Sequence, residues 1–182
     1  MAIWARIQRL NFKEIFILLQ LFLPNPFYIF PTYHATRETM KLCDRLYGRK
    51  HYQDNRENAF RHAYWNFLIA EKIFHKNNSV EASLIWAKKI TDLHERLAPN
   101  KALVRAMDLH NNEVGRNLFS NNPKGNAVEH LQDMMKSAVK INASNLSILD
   151  KNQLVFINQL GSIPSRIYKS TRIYKSVPKL KI

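Results

Sequence analysis

Residues 58–66 read Asn-Ala-Phe-Arg-His-Ala-Tyr-Trp-Asn and contain neither glycine nor proline. On an α-helix, positions i, i+4 and i+8 share one face, so this stretch aligns Asn58, His62 and Asn66 in a single polar stripe. A buried Asn or His costs about 1–3 kcal/mol unless a partner satisfies its hydrogen bonds. The stretch therefore predicts a helix whose polar stripe meets other polar groups, either in a functional site or in a buried network that fixes helix register.

Two further polar clusters follow along the chain. Residues 91–95 read Thr-Asp-Leu-His-Glu, and residues 108–116 read Asp-Leu-His-Asn-Asn-Glu-Val-Gly-Arg. We predict that the three polar stripes converge, because helix faces directed at a core are otherwise filled with apolar residues. The two additional stripes are Asp92 with Glu95, and Asp108 with Asn111, Asn112 and Gly115.

The composition favours helices throughout. The chain has 182 residues with only four glycines and seven prolines, and no alternation of apolar and polar residues indicates a sheet. The length suits a single domain with a sizeable core. The sequence therefore predicts an all-α fold, a single helical bundle of about five to seven helices. The main helices are expected over residues 32–47, 54–76, 78–98 and 100–120, with weaker ones over 126–141 and 147–160.

Capping residues set the expected helix ends. Asp54 is followed three residues later by Glu57, and Asn78 by Glu81, which is the spacing of a capping box. Gly48 follows a helical run and suits a C-terminal cap. We therefore expect helices to begin at Asp54 and Asn78 and to end at Gly48.

The chain is strongly basic, with a formal net charge of +14. Residues 1–49 carry seven basic and three acidic side chains, residues 50–161 carry fifteen and eleven, and residues 162–182 carry six and none. A positive surface attracts polyanions, so an anionic membrane surface is the expected partner and nucleic acid is the alternative. The single cysteine, Cys43, excludes an intrachain disulfide, makes a disulfide-linked partner unexpected and favours a reducing compartment.

Both ends differ from the domain over residues 32–161. Residues 1–31 place basic residues before the run Ile-Phe-Ile-Leu-Leu-Gln-Leu-Phe-Leu at 15–23, which is too short to span a bilayer as a helix. This segment is expected to be amphipathic, either lying in a membrane interface or packed on the domain core. Residues 162–182 contain no acidic residue and are predicted to form a basic, disordered tail. Together the two ends predict a cytoplasmic protein, held peripherally on the inner membrane.

The polar clusters supply groups for acid–base or metal chemistry. Imidazole is a common base and metal ligand, and carboxylates orient a histidine or bind a hard cation. The candidate catalytic residues are therefore His62, Asp92, Glu95 and Asp108. A divalent metal is one expected cofactor, and the metal-free alternative uses His62 as acid or base, oriented by Asp92 or Asp108. The candidate substrate-binding residues are Asn58, Arg61, Trp65, Asn66, His94, His110, Asn111, Asn112 and Arg116.

Helical phase separates two histidines from these stripes. His94 falls between Asp92 and Glu95 along its helix, and His110 lies about 200° from Asp108. Neither histidine is therefore expected on the polar stripe of its neighbours.

The chain resembles an uncharacterised bacterial domain family, common as short stand-alone proteins in Bacteroidota, with related domains at the ends of some polymorphic toxins. The resemblance covers residues 31–119 and depends on the motifs at 58–66 and 91–95 and on Met-Asp-Leu-His-Asn-Asn-Glu-Val-Gly-Arg at 107–116. It implies an all-α domain of bacterial origin and brings no established activity.

Two enzyme classes share smaller patterns with the chain. The order His62, then His94-Glu95, then Asp108 resembles the His, His-Asp, Asp series of HD-type metal phosphohydrolases, with Glu95 in place of an Asp. The pair Arg61-His62 is similar to the start of a bacterial phospholipase A2 helix, but Ala63 stands where those enzymes have a calcium-binding Asp.

These features predict a hydrolase that acts on an anionic, phosphate-bearing substrate at the membrane surface, either a phospholipid or another phosphoester. Two alternatives stay open from the sequence. One is a non-enzymatic membrane- or nucleic-acid-binding helical protein whose buried polar network is structural. The other is a toxin-like nuclease.

Overall fold

The described part of the chain forms an all-α bundle with one very small sheet, which confirms the predicted fold class. The computed structural model describes residues 12–97, 100–122, 125–143, 145 and 149–157. Over these residues six α-helices follow one another: α1 Phe12–Phe22, α2 Ile29–Tyr47, α3 Arg56–Asn77, α4 Val80–Leu97, α5 Ala102–Asn121 and α6 Ala127–Lys136. Short 3-10 turns at Pro26–Tyr28 and Gly48–Tyr52 precede and follow α2.

Helix α3 lies at the centre of the bundle, where it packs against α2, α4, α5 and α6. One apolar cluster lies along its C-terminal half, around Phe67, Ile73 and the α4 side chain Trp86. A second lies along its N-terminal half, around Phe60 and the α6 side chain Leu131. Each fully buried side chain of this size stabilises the fold by about 1.5–3 kcal/mol. The two clusters pack both halves of α3 against its neighbouring helices.

Helices α3 and α5 approach very closely at one point. A Cβ atom on Gly115 of α5 would overlap the backbone carbonyl group of Ala63 in α3. Glycine at this position removes the side chain that would otherwise separate the two helices. The close approach accompanies the contacts of Asp108 and Asn112, earlier on α5, with His62, which precedes Ala63 in the chain.

Two helix starts differ from the sequence prediction. The N-cap of α3 is Asn55 rather than Asp54, because the Asn55 side chain accepts the hydrogen bond from the Asn58 backbone N–H at 3.0 Å. Asn78 does not begin α4 but ends α3 in the left-handed conformation, with φ 53°. The hydroxyl of Ser79 instead accepts from the backbone N–H of Ala82 at the start of α4.

A two-stranded parallel sheet replaces part of the two weaker predicted helices. Strand β1, Val139–Lys140, pairs with strand β2, Val155–Phe156, in the register Val139 opposite Val155. Helix α6 therefore ends at Lys136 rather than continuing to residue 141. Within the described residues 149–157 there is no helix, and the remainder of the helix predicted over 147–160 lies outside them. The prediction that the chain contains no sheet was wrong for these four residues.

The N-terminal helix α1 packs partly on the domain core, which is one of the two environments expected for this segment, and leaves other apolar side chains exposed. The ring of Phe22 in α1 packs edge-on against Trp86, with 5.5 Å between ring centroids, while Phe12 and Phe16 face outward. Of the helices that are described, none is both long and apolar enough to cross a bilayer alone, although the bent pair 14–22 and 26–52 passes that test together. Residues 1–11 and the basic tail over 162–182 lie outside the described residues.

Candidate functional site

Three titratable side chains from three helices meet in the interior. They are His62 from α3, Glu95 from α4 and Asp108 from α5, and all three are buried. The Nδ1 atom of His62 is 3.6 Å from Glu95 Oε1, and its Nε2 atom is 3.4 Å from Asp108 Oδ1. One imidazole therefore lies between two carboxylates, and the predicted meeting of the three polar stripes is present in the structure.

The contacts of the His62 ring define its tautomer. Its Nε2 atom is 2.9 Å from Nη2 of Arg61, and its Nδ1 atom is 3.1 Å from Oδ1 of Asn112. A guanidinium group only donates hydrogen bonds, so Nε2 accepts, and Nδ1 carries the proton that is donated to Asn112. A second nitrogen of Arg61, Nη1, donates to the backbone carbonyl of His51 at 2.7 Å. Arg61 is thereby held beside the imidazole from its own helix.

A layer of amides fixes Asn112 behind the imidazole. Asn66 donates from Nδ2 to Asn112 Oδ1 at 2.7 Å. The Oδ1 atom of Asn66 accepts from the hydroxyl of Thr91 at 3.0 Å and from Nη1 of Arg116 at 2.8 Å. Burial lowers the pKa of Arg116, and the charge of Asp92 partly offsets this effect. The layer links α3, α4 and α5, so it orients the imidazole as well as joining the helices.

His94 and Trp65 form the rim of the cluster. The His94 Nε2 atom is 3.9 Å from Glu95 Oε1, and its ring centroid is 6.4 Å from that of His62. The Trp65 ring packs edge-on against His94 at 5.2 Å, and its Nε1–H donates to Thr36 at 2.9 Å. The His94 side chain is 44% exposed. As helical phase indicated, His94 does not share the buried stripe of Glu95; its side chain lies at the edge of the cluster, on the side nearest to solvent.

Asp92 and His110 lie outside the cluster. The Asp92 carboxylate pairs with Lys88 one turn earlier, on the more exposed side of α4. The His110 Nε2 atom instead contacts the backbone carbonyl of Gln153 at 2.9 Å. Because α4 is oriented with Glu95 inward, Glu95 is the acidic residue of the second motif that joins the cluster, and Asp92 does not orient His62 as the metal-free alternative had it.

Two of the predicted asparagines also have positions away from the imidazole. The Asn111 side chain donates to the carbonyl of Val155 and accepts from its backbone N–H, each at 2.9 Å, so it extends the edge of β2. Asn58 is buried near the start of α3, and within the described chain its Oδ1 atom accepts no hydrogen bond. Neither residue has a described contact with His62, and the position of Asn111 has a structural explanation.

Sequence reasoning missed two polar neighbours of the cluster. Thr91, from the second motif, bonds to the amide layer, and Asn100 donates to Oδ2 of Asp108 at 3.3 Å. Thr91 immediately precedes the predicted pair of acidic residues, so its place in the motif was the available signal. Asn100 precedes α5 in the loop from α4, and nothing in its local spacing indicated this contact.

The donor set suits a divalent cation. One ligand atom from each of His62, Glu95 and Asp108 lies within 4.8 Å of the other two. One imidazole nitrogen and two carboxylate oxygens form a ligand set that Zn²⁺ and Mn²⁺ accept, and three protein ligands would leave positions for water and substrate. The buried group could therefore hold a metal ion.

These features define a class, a small helical protein in which three helices enclose a His-Glu-Asp cluster able to hold a metal. The chain belongs to a family described as a domain of unknown function, DUF6973, whose family model matches residues 19–143. The matched region contains all three cluster residues. No curated protein and no solved structure matches the chain.

Proposed function

We propose that this protein is a metal-dependent hydrolase of phosphoesters, with His62, Glu95 and Asp108 as the metal ligands. The observation that carries the proposal is the position of one imidazole between two buried carboxylates on three different helices. Burying two carboxylates beside each other is unfavourable unless a cation compensates them. A divalent cation at such a site polarises a phosphoryl oxygen and lowers the pKa of a bound water.

Each neighbouring side chain has a role in this proposal. Arg61 is held next to His62 and is suited to neutralise a phosphate oxygen, because guanidinium binds phosphate with directed hydrogen bonds. His94 at the rim is suited to give a proton to the leaving oxygen, since it is half-exposed and close to Glu95. Asn112 and Asn66 keep the imidazole in the tautomer whose Nε2 lone pair faces the cluster.

The same proposal assigns the substrate to phosphate-bearing molecules at the inner face of the membrane. The formal charge of +14 supports a phosphate-rich partner, whether an anionic lipid surface or a nucleic acid. We also propose that the chain is bacterial and related to the terminal domains of polymorphic toxins, as its motifs suggest. RNA is therefore included among the substrates tested, because such toxins include nucleases.

A second candidate is a non-enzymatic protein whose cluster only stabilises the fold. The contact between Arg61 Nη2 and His62 Nε2 favours it, because at 2.9 Å the guanidinium occupies the lone pair that a metal would need. In the metal-bound form Arg61 would have to turn away from the ring. The two candidates therefore differ in what Arg61 does.

Metal binding is the first test. The purified protein, stripped with a chelator, would be titrated with Mn²⁺, Zn²⁺ and Mg²⁺ by calorimetry, beside variants Glu95→Gln and Asp108→Asn. We expect one ion per chain, and binding at least about tenfold weaker in each variant, because each removes a charged ligand. The matched controls are Asp92→Asn on α4 and Glu113→Gln on α5, which remove an acidic group outside the cluster and should leave affinity unchanged.

Activity is the second test. Wild-type protein with the bound metal would be assayed on vesicle phospholipids, RNA and a small phosphodiester, and His62→Gln should lose about 10²-fold or more in rate while its Tm falls by only a few degrees. Arg61→Met separates the candidates. In a metal site its lost stability should be restored by the divalent ion, whereas in a structural network the ion should have no effect. Absence of both metal binding and activity in wild type would refute the hydrolase.

A further inference from the structure

Helix α1 exposes an apolar stripe to solvent. Phe12, Phe16 and Leu19 follow the i, i+4, i+7 spacing of one helix face, which Leu23 continues directly after the helix, and Ile15 lies beside them. Phe12 is 92% exposed and Leu23 is 72% exposed. Monomeric soluble proteins rarely expose several large apolar side chains together, so such a face indicates an interaction surface.

A basic groove of about 620 Å³ lies between α1, α4 and α5. Its apolar lining includes Ile17 and Leu21 of α1, while its charged residues come from α4 and α5. The cations are Lys88, Lys89, Arg96 and Arg105, and the only acidic lining residue described is Asp92. Asp92 pairs with Lys88, so three cations remain without an ion pair among the described residues.

The groove and the stripe adjoin. Gln20 lines the groove and directly follows Leu19 of the stripe, so it lies about 100° further around the same helix. The groove is separate from the His-Glu-Asp cluster, because Asp92 and Arg96 of α4 line the groove whereas Glu95 faces the interior. A flat, anionic surface with an apolar layer beneath it could contact both features at once.

We propose that the α1 stripe and the groove together dock this protein onto a bilayer that contains anionic phospholipid. The aromatic and aliphatic side chains of the stripe enter the interfacial layer, and the groove receives a lipid phosphate with its three unpaired cations. The chemistry favours a bilayer over a second copy of the chain, because two copies facing each other through this surface would oppose their own cations. Docking does not depend on the hydrolase function and is measured by binding alone.

The test uses vesicle co-sedimentation of the full chain. Extruded vesicles of phosphatidylcholine alone, or mixed with phosphatidylglycerol, would be compared at several salt concentrations. We expect binding only to the anionic vesicles, with weaker binding at higher salt. The triple variant Lys89→Gln, Arg96→Gln, Arg105→Gln should reduce the partition coefficient by about 10²-fold, because each cation near an anionic leaflet contributes about fivefold.

A matched charge control separates the groove from the overall charge of the chain. The triple variant Lys136→Gln, Lys140→Gln, Lys151→Gln makes the same change in net charge on α6 and the segment that follows it. It should retain most of the binding. An equal loss of vesicle binding in the two triple variants would overturn the proposed role of the groove, since it would show that binding depends on net charge alone.

The stripe has its own variants. Phe12→Ser with Phe16→Ser should weaken binding to anionic vesicles at least about tenfold, since each removes an interfacial aromatic side chain. Leu46→Ser, at an exposed position near the C-terminal end of α2, is the control and should leave binding unchanged. Circular dichroism would verify that every variant is folded. If wild type binds no vesicles and the stripe variants instead abolish a dimer seen by light scattering, the stripe is a contact between copies and the proposal is wrong.

Discussion

Substitution of Gly115 by alanine tests whether the α3–α5 crossing holds the candidate site together. Gly115 is in the interior of α5, where alanine would ordinarily be favoured over glycine by about 1 kcal/mol. The structure predicts the opposite sign. A Cβ atom at this position would overlap the Ala63 carbonyl group, which is backbone and cannot rotate away as a side chain can.

The expected cost follows from the required displacement. The two helices must separate, which loosens the packing of the second apolar cluster around Phe60 and Leu131. Inserting a methyl group into a well-packed core typically costs about 1–3 kcal/mol. We expect Gly115→Ala to reach the upper part of that range despite its better helix propensity. The separation should also weaken metal binding, because His62 and Asp108 lie on the two helices that move apart.

The measurement is urea unfolding of Gly115→Ala against wild type, followed by circular dichroism. Ser120→Ala is the matched control, since Ser120 is exposed on the same helix and its substitution should change the free energy of unfolding by no more than about 0.5 kcal/mol. A Gly115→Ala variant as stable as wild type, or more stable, would refute the close approach of α3 and α5 and the position of His62 derived from it.

Three further predictions concern groups outside the cluster. Asn111→Leu should lower the free energy of unfolding, measured in urea, by about 1–3 kcal/mol, because the N–H and C=O groups of Val155 lose their side-chain partner. An unchanged urea midpoint would contradict this role of Asn111. Burial lowers the pKa of His51 in the folded protein from its ordinary value of 6.5, so folding favours the neutral ring. The free energy of unfolding should therefore fall as the pH drops below 6.5, and it should fall less steeply in His51→Gln. A pH profile of unfolding identical in the two proteins would exclude His51 as the cause. Burial also raises the pKa of the Cys43 thiol to about 12, so a thiol reagent should label the native protein slowly and the urea-unfolded protein fast, and rapid native labelling would contradict the buried position.

The sequence was sufficient to predict the convergence of three helices because helical periodicity is local. The spacing of Asn58, His62 and Asn66 depends only on the geometry of one helix. A polar stripe on such a helix has to meet polar partners, and the other two stripes were the available partners. Both the all-α class and the participation of His62 and Asp108 follow from that reasoning.

The choice between Asp92 and Glu95 could not be made from the sequence. These residues are three positions apart, so both lie on the same side of α4 within about 60° of each other. The rotation of α4 depends on its packing against α3 and α5, where Thr91 reaches Asn66 and Trp86 fills the core. That packing is a tertiary property. The same holds for His94, whose side chain reaches the cluster from the edge of the stripe.

The sequence predictions for the short elements were wrong for a related reason. Strands β1 and β2 have two residues each, too few to show a local alternation, and the other edge of β2 is paired by Asn111 from a distant helix. The N-cap of α3 is Asn55 and not the predicted Asp54. Both residue types cap helices well, and only the backbone conformation decides between them.

The electrostatics of the cluster explain why its function depends on which cation, Arg61 or a metal ion, lies next to the carboxylates of Glu95 and Asp108. Unit charges at 4.8 Å, the limit within which the Glu95 and Asp108 ligand atoms lie, repel by about 3 kcal/mol at an effective dielectric of 20. The three helices carry this unfavourable arrangement on a rigid frame, since α3 is locked to α5 at Gly115 and to α4 through Asn66. A cation that enters between the two carboxylates would relieve this repulsion. Arg61 offsets part of it in the absence of a metal, and a divalent ion would offset more while releasing Arg61 toward a phosphate. Relief of this repulsion by a divalent ion is what the proposed function requires, and the metal titration of wild type beside Arg61→Met distinguishes it from a network that serves stability alone.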